Sequence, residues 1–288
     1  MPAARRRFST NAAAASVCRR FTSIEPDAAT TRAHDHRTVD TPGRTTPSIL
    51  AIGDIHGCAR ALDRLLELAC PGDDTTVVVL GDAVDRGPQT PEVTEQLIRL
   101  QGAGRLVFLM GNHEELLLAA RFDSGAFERW LAFGGRAVLH AYGSFDAIPP
   151  EHWRFWESAA DFWETASAIF VHANLQPGVP LAEQRGEWLR WRPLTGDEPP
   201  HPSGRTVIAG HTRQRSGCPW TFPGWICIDT AACAGGWLTG LWLPTFRFVQ
   251  TKQDSRDFRC GHIADGTVHF ERTARPERSV APFLRDEA

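Results

Sequence analysis

The chain has 288 residues, 42% hydrophobic and 23% charged, an ordinary globular balance with enough apolar material for one sizeable core. A formal net charge of -3 provides no global basic field to draw the protein to nucleic acid or an anionic membrane. No apolar run approaches the roughly 20 residues needed to cross a bilayer. The seven scattered cysteines contain no C-x-x-C pair and signal neither a zinc knuckle nor a disulfide framework, so a soluble cytoplasmic monomer is expected.

Residues 1 to 47 are rich in Ala, Arg, Ser and Thr without a sustained apolar period, and read as a disordered leader. Arg5, Arg6, Arg7, Arg19 and Arg20 precede the first acid, Glu25. Transit peptides and plain unstructured tails share that composition, and the tail is the reading adopted. A catalytic domain is expected from 48 to 272, followed by a loose tail from 273 to 288.

At Ile49 the pattern changes. The run Ile49-Leu50-Ala51-Ile52 ends in Gly53-Asp54 and is followed by helical spacing at Leu62, Leu65 and Leu68. The same unit recurs as Val77-Val78-Val79-Leu80 before Gly81-Asp82, and as Leu106-Val107-Phe108-Leu109-Met110 before Gly111-Asn112. Buried-type strands about thirty residues apart and separated by helices predict βαβ units and a largely parallel start to a sheet.

Residues 114 to 165 combine helical spacing with dense aromatics and read as a small helical cap. The aromatics either line a substrate groove or pack, and packing is the default. Ala168-Ile169-Phe170-Val171 returns to strand before His172. A Pro-rich loop then leads to Thr206-Val207-Ile208-Ala209 before Gly210-His211. From Trp225 onward short strands with an Asp265-Gly266 hairpin signal suggest a second, more antiparallel sheet.

Polar groups thus recur just past five predicted strands: Asp54 and His56, Asp82, Asn112 and His113, His172, and His211. In an α/β sheet the carboxyl edge is where ligands bind, so five loops deliver these side chains to one place. Singly, each has a dull role as a helix cap, a turn residue or a packed histidine. Together they form a nitrogen and oxygen donor set suited to metal cations, costly to bury otherwise. Two ions need a shared ligand, and Asp82, in the middle of the set, is the natural bridge.

Gly53-Asp54-Ile55-His56-Gly57, Gly81-Asp82-Ala83-Val84-Asp85-Arg86-Gly87 and Gly111-Asn112-His113-Glu114 resemble the signature blocks of calcineurin-like metallophosphoesterases, specifically PPP-type serine/threonine protein phosphatases of bacterial type. His172-Ala173 and Gly210-His211-Thr212 are similar to the family's last two metal-binding segments, and the resemblance covers about 49 to 229. It implies an α/β fold, a four-layer αββα sandwich of two mixed β-sheets with helices outside. It also implies two divalent ions, Mn2+ first and Fe or Zn2+ next. Asp54 and His56 would hold the first ion, Asp82 would bridge, and Asn112, His172 and His211 would hold the second. A hydroxide bridging the ions would attack phosphorus directly. His113 would be the general acid, oriented by Asp85, and Arg86 would bind phosphate. Trp188-Leu189-Arg190-Trp191-Arg192 offers two candidates for a second phosphate-binding arginine, of which Arg192 is preferred.

Two departures matter. Asn174 stands where the family commonly has Gly, and the turn survives if Asn takes positive φ. The tyrosine of eukaryotic members has no counterpart, since Tyr142 is the only one here. Cys233 either approaches the site or packs as a small hydrophobe. The first functional reading is a phosphatase for phosphoserine or phosphothreonine on proteins, because nucleotide-cleaving relatives often lack the acid before the arginine. The alternative is a symmetrical dinucleoside tetraphosphatase or other small-molecule phosphoesterase. A non-catalytic phosphate-binding scaffold is third, and predicts a lost ligand where every position is filled.

Overall fold

The computed structural model describes residues 48–271; the expected leader and tail lie outside them. Twelve strands and six α-helices are described, taken here in chain order. They are β1 (Ile49–Ile52), α1 (Ala59–Ala69), β2 (Thr76–Val79), α2 (Thr90–Gly102), β3 (Leu106–Phe108), α3 (Asn112–Ala119), α4 (Ser124–Trp130), α5 (Arg136–Tyr142) and α6 (Pro150–Glu157). Then come β4 (Phe162–Glu164), β5 (Ala168–Val171), β6 (Thr206–Ala209), β7 (Trp220–Phe222), β8 (Trp225–Cys227), β9 (Leu238–Leu243), β10 (Arg247–Thr251), β11 (Phe258–Ala264) and β12 (Thr267–Phe270). No described helix is long and apolar enough to cross a membrane.

The strands form two mixed sheets, in the orders β12-β11-β10-β9-β1-β2-β3 and β4-β5-β6-β8-β7. The expected α/β sandwich is present. Its layers form because β1 and β2 are buried on both faces: Leu50, Ile52, Val77 and Val79 face α1 and α2, whereas Ala51, Val78 and Leu80 face Phe170, Ile208 and Ile226 of the other sheet. Helix α1 lays Leu62, Leu65 and Leu68 on the first sheet. The outer face of the second sheet is covered by Leu175, Leu189 and Leu194 from the connection after β5, which carries short helical turns at Leu181–Glu183 and Glu187–Trp191.

Three expectations change. Of the strands from Trp225 onward, β8 lies in the second sheet as expected but β9 to β12 do not: β9 pairs antiparallel with β1, from Ile49↔Leu243 to Ile52↔Gly240, and extends the first sheet. The helical cap ends at α6. Phe162 and Trp163 belong instead to the edge strand β4, paired with β5, because their apolar faces fill the second sheet's margins. Asn174 is absent from the positive-φ residues; its side chain holds the turn by donating to Glu198 Oε1 (3.1 Å) and Pro193 O (3.3 Å).

Register places the site. Parallel pairing of Ile52 with Val79, and of Val79 with Phe108, ends β1, β2 and β3 at one level. Val171 with Ala209, and Ala209 with Cys227, end β5, β6 and β8 at another. Both sheets present these carboxyl edges at the same end of the sandwich.

Candidate active site

The structure brings seven predicted side chains together: Asp54, His56, Asp82, Asn112, His113, His172 and His211. His56 Nε2 lies 3.4 Å from Asp82 Oδ2, and His172 Nε2 lies 3.4 Å from Asp82 Oδ1. Asn112 Oδ1 is 3.1 Å from His172 Nε2 and 3.0 Å from His211 Nδ1. Asp54 carries its Oδ1 to 3.0 Å from the main-chain nitrogen of His211. Two donor clusters share Asp82, one with His56 and His113 and one with His172 and His211.

The tautomers of His56, His172 and His211 follow from their outer partners. His56 Nδ1 faces Val84 O at 2.8 Å, His172 Nδ1 faces Leu80 O at 2.7 Å, and His211 Nε2 faces Trp191 O at 3.1 Å. A carbonyl only accepts, so each facing nitrogen carries the proton and the other nitrogen turns a lone pair inward. Burial pushes all three imidazoles below their ordinary range and keeps them neutral. The lone pairs of His172 and His211 therefore converge on the Asn112 amide oxygen beside Asp82, acceptor against acceptor, while that of His56 faces Asp82 and the Arg86 guanidinium. Burial also raises Asp54 and Asp82 well above the carboxylate range, and Asp229 and Glu114 respectively add repulsion. A centre of this kind needs positive charge, which divalent cations with imidazole, amide and carboxylate ligands provide.

His113 is different. Its Nδ1 is 2.6 Å from Asp85 Oδ2, and its buried Nε2 has no hydrogen-bond partner among the described residues. Trp130 Nε1 donates to the other carboxylate oxygen at 2.8 Å. Burial opposes charge on both members of the pair, pushing Asp85 up to about 8 and His113 down. At 2.6 Å, Nδ1 and Oδ2 are close enough for the pair to share a proton between them. Written as imidazolium and carboxylate, it presents Nε2–H to the cradle, as a general acid must.

Arg86 Nη1 donates to His56 Nε2 at 2.7 Å, so the guanidinium reaches the first donor cluster. Arg190 is held by Glu115 Oε2 at 2.9 Å and by Asp161. The guanidinium of Arg192 lies 5.0 Å over the Trp188 ring and is exposed, with no ion pair among the described residues. Cys233 is half-buried against the helical core.

Backbone strain collects here. His56, Asp82, Asp85, Arg86 and His211 all have φ between 46° and 68°, a region L-residues seldom enter. Gly111 is needed for space, since a Cβ there would strike Asp82 Oδ1.

Three residues escaped the sequence reading. Glu114, third in α3, accepts from Gly111 N (3.0 Å), Asp82 N (2.8 Å) and Ala83 N (2.8 Å), binding the second and third loops together. Its signal was the capping-box position, three residues after the N-cap Gly111. Asp229 follows β8 at the same edge and raises Asp54 by charge repulsion. The apolar run Trp225-Ile226-Cys227-Ile228 ending in an acid repeats the pattern of β1. Trp130 carried no signal beyond its aromatic character.

Known proteins bear on this arrangement. The family model for calcineurin-like phosphoesterases matches residues 47–223. A symmetrical bis(5'-nucleosyl)-tetraphosphatase of Paracidovorax citrulli is 48% identical over 75 residues, which is 25% of this chain and 26% of that protein. The chain therefore spans about a quarter of that relative's length. The asymmetrical bis(5'-nucleosyl)-tetraphosphatase PrpE of Bacillus velezensis is 24% identical over 252 residues, 73% of this chain and 96% of the relative. A solved structure described as a candidate diadenosine tetraphosphatase superposes with a TM-score of 0.54 at 20% identity, covering 77% of this chain and 96% of its own, a likeness of fold. With an acceptor cradle at the strand edges and a family match over more than half its length, the chain belongs to the calcineurin-like phosphoesterases and is a hydrolase of that family.

Proposed function

We propose that the chain hydrolyses a phosphoanhydride bond of a dinucleoside polyphosphate. The observation that carries the hydrolytic chemistry is the convergence of three inward-facing imidazole lone pairs on Asp82 and Asn112. Asp54, His56 and Asp82 would hold one ion, and Asp82, Asn112, His172 and His211 the other. When bound, a pair of divalent cations, Mn2+ before Fe or Zn2+, supplies Lewis acidity and an attacking water with a pKa near about 7. The chain's own residues do the rest. Arg86 would turn its guanidinium from His56 to a phosphoryl oxygen, and Arg192, which no carboxylate holds, would swing from Trp188 to another. His113 would give its Nε2 proton to the leaving oxygen while Asp85, fixed by Trp130, steadies the imidazolium.

The nucleotide substrate is supported by the relatives, whose names are tetraphosphatases. It replaces protein phosphoserine as the first reading. A protein substrate keeps one supporting observation, the complete Asp85–His113 pair, because a serine alkoxide needs a proton more than a nucleotide phosphate does. Diadenosine tetraphosphate and a phosphoserine peptide, assayed side by side with Mn2+, separate the two. Faster cleavage of the nucleotide is expected, and its products, two diphosphates or a triphosphate with a monophosphate, assign the bond cut. Faster cleavage of the peptide would return the protein reading to first place.

A further inference from the structure

We infer that the ring of Phe133 is a stacking platform for a nucleobase of the substrate, a specificity element that rests on the nucleotide reading above. Three large apolar side chains stand exposed among the described residues: Phe122, Phe133 and Phe270. Phe122 sits under Arg121, and Phe270 packs edgewise on Phe248. Phe133, 46% exposed, is the one in ring contact with the site, 6.4 Å from His113 and 6.0 Å from Trp191. Both contacts are strongly tilted, at 65° and 85°, so neither neighbouring ring lies flat against it.

This placement is built into the backbone. Phe133 stands immediately before a kink at Gly134, where the chain leaves helical geometry between α4 and α5. Gly134 takes φ 129°, a conformation open to glycine, and a Cβ there would stand 2.8 Å from Arg86 Cγ. Its carbonyl accepts from Arg86 N at 3.2 Å, and Trp130, at the end of α4, holds Asp85. Trp191 is tied from the other side, by Nε1–H to Glu115 Oε2 at 2.8 Å and through its carbonyl to His211. The aromatic corner thus joins the proton donor, the arginine and the second donor cluster.

Four other aromatics of the cap pack inward: Trp130, Trp153, Phe155 and Trp156 are buried. Phe133 departs from that default beside the group that protonates the leaving oxygen. A phosphoryl chain gripped by the centre would carry its nucleoside past this ring, and every base has a π-face to lay on it.

The test compares diadenosine tetraphosphate with inorganic tetrapolyphosphate, the same kind of anhydride without bases, in the Mn2+-loaded full chain. Phe133→Ala and Phe133→Leu are expected to lower the ratio of kcat/KM for the dinucleotide to that for tetrapolyphosphate by about tenfold, through KM. Phe133→Trp should restore it. An unchanged ratio in both truncations, or a loss that Phe133→Leu fully recovers, would overturn the platform while leaving the nucleotide reading intact. Failure of the unaltered enzyme to cleave diadenosine tetraphosphate while it dephosphorylates the peptide would remove the nucleotide reading and the platform with it.

Discussion

The metal cradle and the helical cap sit side by side and are held in opposite ways. In the cradle the functional side chains are gripped by main chain: Val84, Leu80 and Trp191 carbonyls fix the imidazoles, and the amides of Gly111, Asp82 and Ala83 fix Glu114. In the cap, side chains grip side chains. Trp130 meets Phe127 and Phe145, Trp153 meets Trp156, and Tyr142 reaches His152 at 2.6 Å. The contrast separates two tasks. A fixed backbone serves a reaction whose geometry tolerates little error, whereas packed aromatics hold the cap together and reach the reaction only through Trp130 and Asp85.

Substitutions ranked by effect would break or sharpen that contrast. The largest belongs to the bridge: Asp82→Asn should lower turnover by more than about 10³-fold, because one residue serves both donor clusters. Elemental analysis should show reduced metal, and full metal with full activity would refute the bridging role. Next, His113→Asn should keep its metal and lose turnover by a factor on the order of 10² to 10⁴. The loss should be greater on a phosphoserine peptide than on a nucleotide, whose leaving group is the weaker base. Equal losses would mean that proton donation is not its task.

Glu114→Gln should cost about 2 to 3 kcal/mol of stability, since an amide N–H would then face main-chain N–H donors in a buried site. Urea unfolding measures it, and a loss below about 0.5 kcal/mol would deny the carboxylate its joining role. Trp130→Phe crosses from cap to cradle and should lower kcat about tenfold by removing one hydrogen bond from Asp85. The sign of its pH effect follows from that bond, which holds Asp85 down against burial. Without it the pair keeps its proton to higher pH, and the alkaline limb of the rate profile should move upward. The smallest effect is Tyr142→Phe, about 1 kcal/mol of stability with kcat preserved. A cradle-sized loss of activity there would erase the distinction between the two regions.

The same contrast explains what could be read in advance. Each of Asp54, Asp82, Asn112, His172 and His211 ends a run of buried-strand residues, so local pattern and chain-end position coincide. Asp229 ends such a run as well but lies in a stretch dominated by short strands, where the pattern carries less weight. Glu114 was visible inside its block, yet its partners are amides of another loop, a relation that no local period encodes. That β9 to β12 would extend the first sheet was equally hidden, because the edge a strand joins is decided by long-range burial such as Leu241 and Phe248 against Leu109 and Ile208. Phe133 and Trp130 look alike in sequence; Trp130, on α4, points into the core, whereas Phe133, at the kink before Gly134, stands half exposed.

The carbonyls behind the three imidazoles have a consequence for how the protein changes over generations. Val84, Leu80 and Trp191 contribute through atoms that every amino acid possesses, so replacing their side chains leaves the supports in place provided the backbone path persists. The orientation of the ligands is thereby insulated from most single-codon changes, and drift can proceed around the centre while the centre itself stays aligned.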